Sequence, residues 1–142
     1  GFDGTYLFRF TRAASALAPA IDILNSINNP VDLRLRGHGG WTSGSFSALA
    51  SVNYVCGYEN TIVSPAEHVD AWTTVDAQIG YRFEAKGGAL HGVSLALSAT
   101  NLFDKDPPYA AFSFNGITAV GYDPQNASPL GRVVSLQLTK AW

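Results

Sequence analysis

Histidine and cysteine are the residue types of this sequence that most readily support catalysis or metal binding. The single cysteine, Cys56, cannot form a disulfide within the chain. Nothing beside it activates a thiolate, so we interpret it as a small apolar residue. The three histidines have no metal-ligand spacing with Cys56 or with a pair of carboxylates. We expect each of them at the surface: His38, His68 and His91. The sequence therefore predicts no metal site and no cofactor.

Acidic and hydroxyl side chains give no catalytic pattern either. The chain contains no G-x-S-x-G motif and no local Ser-His-Asp arrangement, so nothing indicates a nucleophilic hydrolase. Asp104, Asp106 and Asp123 do not have the spacing of an EF-hand calcium loop, and we interpret them as solvated loop acids. The sequence therefore predicts no catalytic residue, and we expect a protein that is not an enzyme.

Aromatic side chains are the remaining candidates for contact with a ligand. An exposed ring can stack on a planar or ring-shaped ligand. The alternative is that these rings pack the connecting segments onto each other. The candidates lie in two long segments between predicted strands: Tyr58, Tyr109, Phe112, Phe114 and Tyr122.

The composition departs from that of an ordinary soluble domain. Charged residues make up 14% of the 142 residues, against about 25% in typical globular chains, and aromatic residues reach 12%. The net charge of −2 and the scattered basic residues argue against a nucleic-acid partner. No run of about 20 apolar residues is present, so we expect no transmembrane helix. No signal peptide opens the chain, and we expect the native N-terminus further upstream.

Apolar and polar residues alternate with a period of two through much of the chain, which is the period of a β-strand. In one segment, Val75, Ala77 and Ile79 fall on one face. Asp76 and Gln78 fall on the opposite face. The same alternation predicts six strands: Phe2–Arg12, Val31–His38, Ser45–Cys56, Asp70–Glu84, Val93–Thr100 and Val133–Trp142.

The connections between the predicted strands alternate in length. Long connections follow the first, third and fifth strands, and short ones follow the second and fourth. The long ones are Ala13–Pro30, Gly57–Val69 and Asp104–Pro129, and the short ones are Gly39–Gly44 and Ala85–Ala89. This sorting is typical of an outer-membrane barrel with short periplasmic turns and long extracellular loops. Several strands also reach about 10 residues, enough for a tilted strand to cross the hydrocarbon layer.

We therefore predict an all-β fold, an antiparallel transmembrane β-barrel segment of about six long strands. Its apolar face would point to lipid and its polar face to the barrel lumen. Six strands are too few to close a barrel, because the smallest single-chain barrels have about eight. We expect further strands upstream, and two raw edges, at Phe2–Arg12 and Val133–Trp142, that do not pair with each other.

Several segments resemble the C-terminal part of TonB-dependent outer-membrane receptors. Asn101–Tyr109, with the letters NLFDKDPPY, resembles a signature near the end of these receptors, and Gly121–Arg132 resembles their approach to the last strand. Val133–Trp142 resembles that last strand, which ends on an aromatic residue. Asn29–Arg34 and Trp72–Asp76 are also similar to segments of these receptors.

The resemblance implies a barrel of about 22 strands, filled by an N-terminal plug, that imports a scarce nutrient across the bacterial outer membrane. Ferric siderophores, haem, cobalamin and glycans are the cargoes of such receptors. Residues 1–142 would be the C-terminal portion of the barrel, without the plug domain, the TonB box or the earlier strands. The implied partners are outer-membrane lipid, the small nutrient, the TonB complex acting through the missing plug, and the barrel-assembly machinery.

The barrel-assembly machinery would read a pattern of apolar residues that ends on the terminal aromatic. The residues of this sequence that match the pattern are Val134, Leu136, Leu138 and Trp142. Lys140 departs from it, because an apolar residue often stands at that place.

Two other classes of protein remain as alternatives. One is a different outer-membrane β-barrel, either porin-like or an enzyme with catalytic residues converging at one rim. The other is a soluble β-sandwich binding module, in which the apolar faces of the strands would meet in a core.

Overall fold

The computed structural model describes residues 1–111 and 120–141, which contain β-strands and no α-helix. Within those ranges no helix is long and apolar enough to cross a membrane. Six strands form a main sheet, and four short ones form two small hairpins. In chain order the strands are β1 (Phe2–Tyr6), β2 (Thr11–Arg12), β3 (Ile21–Asp22), β4 (Leu33–Ser43), β5 (Phe46–Val55), β6 (Tyr58–Asn60), β7 (Glu67–Val69), β8 (Trp72–Arg82), β9 (Val93–Thr100) and β10 (Val133–Lys140).

The main sheet has the order β1-β4-β5-β8-β9-β10, and every pair of neighbours is antiparallel. Each strand therefore pairs with the next strand of that sheet along the chain. Strands β1 and β10 are the two edges, and no pairing joins them in the described residues. The prediction of an all-β antiparallel fold is confirmed, and the sheet of this chain is open rather than closed into a barrel.

The connections are sorted by length as the sequence predicts. Residues 7–32, 56–71 and 101–132 leave and re-enter the sheet at one end, which we call the loop end. Residues 44–45 and 83–92 connect strands at the other end, which we call the turn end. Gly44 takes φ +54°, as the first central residue of a two-residue type II′ hairpin turn requires.

Two predicted strand boundaries are wrong. The segment Gly39–Gly44 is not a turn, because β4 continues to Ser43 and pairs with β5 along that length. The predicted strand Phe2–Arg12 is divided, because β1 ends at Tyr6 and β2 pairs with β3 in a separate hairpin. Asp22 holds this hairpin together, since its carboxylate accepts hydrogen bonds from the backbone N–H groups of Phe10 (3.2 Å) and Leu24 (3.1 Å).

The register places apolar residues of all six strands on one side of the main sheet, which we call the apolar face. Leu97 of β9, for example, pairs with Ile79 of β8 and with Leu136 of β10. The opposite side, the polar face, carries polar side chains that are cross-strand partners, such as Ser51 of β5 and Asp76 of β8. The exposed fractions of Ile79 and Leu136 are 58% and 71%, so no second layer covers the apolar face in the described residues.

The hydrophobic core lies at the loop end, where the three long connections meet. Its buried members come from segments far apart in the chain: Ile27, Val31, Tyr58, Val69 and Ala110. Val55 and Cys56 pack against this cluster. The connections therefore form a packed cap, while the sheet itself has an exposed apolar face.

Candidate functional site

A buried carboxylate forms the centre of the cap. Asp123 is fully buried, and its carboxylate accepts hydrogen bonds from the backbone N–H groups of Asn28 and Gln125 (both 2.9 Å). The side-chain amide of Asn126 donates a third bond of 2.8 Å to the same carboxylate. The interpretation of Asp123 as a solvated loop acid is therefore wrong, whereas Asp104 and Asp106 are exposed as expected.

Asn126 extends this arrangement to the main sheet. Its side-chain Nδ2 donates to the carbonyl of Asn29 (2.9 Å), and its Oδ1 accepts a bond of 2.5 Å from the guanidinium of Arg34. Arg34, on the polar face of β4, also donates to the carbonyl of Gln125 (3.2 Å). We call Asp123, Asn126, Arg34, Asn28 and Tyr58 the Asp123 cluster. The cluster ties the third long connection to the first one and to β4, so the third connection crosses the polar side of the sheet.

Tyr58 closes the cluster from the β6–β7 hairpin. Its ring is part of the hydrophobic core, and its buried hydroxyl lies close to Asp123 and Asn126. Within the described residues this hydroxyl has no hydrogen bond of ordinary geometry. Burial, and then the negative charge of Asp123, raise the pKa of Tyr58 well above its usual range. The expectation that Tyr58 is exposed for stacking on a ligand is therefore wrong, because the ring packs the connections together.

The other candidate ligand-contact residues differ in how exposed they are. Tyr109 is 72% exposed, and Tyr122 is half-buried. The neighbouring backbone segments meet, because the N–H of Ala110 donates to the carbonyl of Gly121 (3.0 Å). Phe112 and Phe114 lie outside the described residues. Of the five candidates, Tyr109 is the one that the structure places with a well-exposed ring.

A second polar network runs along the polar face of the main sheet. The carboxylate of Asp76 accepts hydrogen bonds from the side chain of Asn53 (2.9 Å) and from the backbone N–H of Asn101 (3.0 Å). Ser51, which is buried, donates a longer bond of 3.4 Å to the same carboxylate and accepts one from Arg36 (3.2 Å). These bonds join side chains of β4, β5 and β8 to the end of β9, so polar groups on this face are satisfied by one another.

Three of the four residues of the predicted assembly signal lie on edge strand β10. Val134, Leu136 and Leu138 are on the apolar face with exposed fractions of 59%, 71% and 68%, and they alternate with Ser135 and Gln137. Trp142 lies outside the described residues. Lys140 shares the parity of the apolar residues, and its ammonium group donates to the carbonyl of Ala89 at the turn end (2.7 Å).

Cys56 makes a side-chain hydrogen bond that the sequence pattern does not predict. The thiol donates a hydrogen bond of 2.9 Å to the carboxylate of Asp32. Burial, together with this bond, raises the pKa of the Cys56 thiol, so the thiolate nucleophile is disfavoured. The same bond, together with one from Asn25, lowers the pKa of Asp32.

The hydrogen bonds and the core described above pack the three long connections together at the loop end. His38, His68 and His91 are all exposed, as expected. Over residues 1–111 and 120–141, no three His, Cys, Asp or Glu side chains come together as a metal-binding group. No protein-family model, curated protein or solved structure matches the chain.

Proposed function

We propose that this chain is the C-terminal portion of a TonB-dependent receptor barrel in the bacterial outer membrane, which takes up a scarce nutrient by energy-coupled transport. The observation that carries the proposal is the continuous, exposed apolar face of the six-stranded sheet opposite a hydrogen-bonded polar face. Leu136 and Leu138 leave most of their apolar surface uncovered. Covering such surface is favourable by about 25 cal/mol per Å², and acyl chains cover it in a membrane barrel.

The height of the apolar face fits a hydrocarbon layer. Two cationic residues of the same parity, Arg132 just before β10 and Lys140 at its end, bracket the three apolar residues of the assembly signal on β10. They are eight residues apart (140 − 132), which at about 3.3 Å per residue is about 26 Å along the strand, or about 20 Å across the layer at a strand tilt of about 40°. The apolar band of outer-membrane barrels is about 25 Å tall, and the two long side chains can reach outward over the remaining few ångströms. Each cation would then lie at a headgroup region, where a long side chain keeps its charge in water.

The open edges of the sheet support a larger barrel. Strands β1 and β10 each present one side without a partner strand in the described residues. In lipid, every unpaired backbone polar group costs several kcal/mol, so a membrane-spanning sheet has to be closed. We infer that other strands of the same receptor pair with both edges.

The segment that resembles the receptor signature has a defined structural role. The side chain of Asn101 accepts a hydrogen bond from the N–H of Lys105 (2.9 Å) and donates one to its carbonyl (3.0 Å). Asn101 and Asp104 both take positive φ, +50° and +56°, which asparagine and aspartate tolerate better than most residues. The residue types of the motif therefore form the tight turn that ends β9, and the choice of a TonB-dependent receptor over another barrel rests on the resemblance of this motif to the receptor signature.

Lipid exposure of single sites tests the membrane part of the proposal. In a Cys56→Ser background, a fluorescent label is placed at Leu136→Cys or at Gln137→Cys, which are adjacent on β10 but on opposite faces. The complete receptor that we propose to contain this chain, free of other cysteines, is reconstituted in vesicles that contain a brominated lipid, which quenches the label on contact. We expect strong quenching at position 136 and weak quenching at position 137. Equal or reversed quenching refutes the proposal, and a chain that remains soluble with both labels unquenched favours the β-sandwich.

The gene that encodes this chain tests the receptor part of the proposal. We expect it to encode a plug domain and a TonB box upstream of residue 1. A signal peptide followed directly by a short barrel, with no plug, refutes the receptor assignment and favours a porin-like barrel or a barrel enzyme.

A further inference from the structure

A shallow groove interrupts the apolar face near the loop end, between β8, β9 and β10. Its volume is about 280 Å³, and it is lined by Ala77, Ile79, Leu97, Ala99, Leu102 and Val134, with Arg132 at one end. Ala77 and Ala99 are register partners, and their methyl groups form a floor lower than the branched side chains of the next row. The groove is therefore an apolar depression in a face that otherwise carries large side chains.

The guanidinium of Arg132 lies at the end of this groove that is nearer to the loop end of the sheet. It lies two residues before Val134, and is exposed. A guanidinium has five N–H donors, and in the described ranges the side chain of Arg132 makes one hydrogen bond, of 3.4 Å, to the carbonyl of Leu102. The nearby carboxylate of Asp104 is engaged instead by the backbone N–H of Arg132 (2.6 Å).

No carboxylate within the described residues forms an ion pair with this guanidinium, since the ion pairs found there involve His38 and His68. The groove thus combines an apolar surface with a guanidinium at one end only, and this guanidinium has no ion-pair partner in the described residues. This combination is complementary to an amphiphile that has an apolar tail and an anionic head. The planar fork of an arginine matches two oxygens of a phosphate group.

The geometry points to a binding site for one phosphorylated lipid, with an acyl chain in the groove and the lipid phosphate on Arg132. The inference rests on the proposed function, because it requires the apolar face to be in contact with lipid. The site differs from the surrounding lipid layer in that one lipid class is selected by its head while its tail fills a fixed depression. Lys140, the cation at the other end of β10, has no such groove and bonds to Ala89.

Selective retention of phosphatidic acid tests the site. The complete receptor that we propose to contain this chain is reconstituted in phosphatidylcholine vesicles with a minor fraction of phosphatidic acid, extracted in mild detergent and analysed by native mass spectrometry. We expect phosphatidic acid to be enriched on the wild-type chain and Arg132→Gln to lower that enrichment about fivefold. A net contribution of about 1 kcal/mol from hydrogen bonds between the guanidinium and the lipid phosphate corresponds to about fivefold, since 1.4 kcal/mol is about tenfold. Arg132→Lys should keep part of the enrichment, because the charge remains while the fork is lost.

Two further variants separate this site from general electrostatics. Lys140→Gln removes the same charge from the same face of β10 and should leave the enrichment unchanged. Ala99→Leu fills the groove without a change of charge and should lower the enrichment.

Several results overturn the inference. If Arg132→Gln and Lys140→Gln lower the enrichment of phosphatidic acid equally, the attraction is not selective. If Ala99→Leu leaves the enrichment unchanged, the groove has no role. If inorganic phosphate displaces the phosphatidic acid, Arg132 belongs to an anion site that does not need a lipid. If the label at position 136 is quenched by lipid and no enrichment occurs, the lipid site fails and the proposed function stands. If that label is not quenched, both fail.

Discussion

Substitution of Asp123 by asparagine provides a test of how the cap is held together. In the wild-type chain one carboxylate oxygen accepts bonds from the Asn28 N–H and the Asn126 side chain, and the other accepts from the Gln125 N–H. An asparagine side chain has the same shape but offers one NH₂ group in place of an oxygen. Whichever way the amide is turned, this NH₂ group faces at least one N–H donor, so at least one hydrogen bond is lost.

The expected size of the effect follows from the kind of bond. A hydrogen bond to a charged group contributes about 1.5–3 kcal/mol, and a buried donor left without a partner carries a penalty of similar size. Since 1.4 kcal/mol corresponds to about tenfold, local opening should become about 10- to 100-fold more frequent. Amide hydrogen exchange measures this directly. We expect the backbone N–H of Asn28 or of Gln125 to exchange faster by that factor in Asp123→Asn.

Asp106→Asn is the matched control, because Asp106 is an exposed acid of the same connection. It should leave both amides unchanged, and amides of the β8–β9 pair should exchange at wild-type rates in both variants. If Asn28 and Gln125 retain wild-type exchange in Asp123→Asn, the buried carboxylate does not hold the first and third connections together.

Two further predictions concern the pH dependence and the hairpin turn. The hydrogen bond from Cys56 lowers the pKa of Asp32, so the carboxylate stabilises the folded state above its unfolded pKa, and this contribution is lost as the pH falls through the lower, folded pKa. The thermal midpoint of the wild-type chain should therefore drop on acidification below about pH 4, and the drop should be smaller in Cys56→Ala. Equal drops in the wild type and in Cys56→Ala contradict a role of the Cys56 hydrogen bond in the stability. Gly44→Ala should lower the free energy of unfolding by about 1–2 kcal/mol, because φ is +54° there. Gly39→Ala, on the other hand, lies in open space without a positive φ and should change the denaturation midpoint little; equal effects of the two substitutions rule out backbone strain at Gly44.

The faces of the sheet and the sorting of the connections could be predicted from sequence, because both depend on local pattern. The alternation around Val75 and Asp76 assigns each residue to a face whatever its partner strand is. The continuation of β4 through Gly39 and Gly40 could not be predicted in this way, since a glycine has no side chain to show the alternation. The cross-strand register confirms the alternation for all six strands of the main sheet.

The cap could not be predicted from local pattern. Asp123 accepts a hydrogen bond from the N–H group of Asn28, 95 residues away, and nothing in the neighbourhood of Asp123 in the sequence indicates that segment. The burial of Tyr58 could not be predicted for the same reason, since it depends on Ile27 from the first long connection and Ala110 from the third. The short hairpin of β2 and β3 depends on the Asp22 carboxylate rather than on alternation.

The sequential order of the strands bears on how the chain acquires its fold. Each pairing in the main sheet joins strands that are neighbours within the sheet and along the chain, so each hairpin closes a modest loop, and loop closure of this kind favours early formation. The hydrogen bonds of the Asp123 cluster close much longer intervals, of 91 to 97 residues, and need β4 and β9 already in place. We expect the sheet to grow hairpin by hairpin, with the Asp123 cluster formed late, so that its completion reports that the strands from β4 to β9 have been assembled.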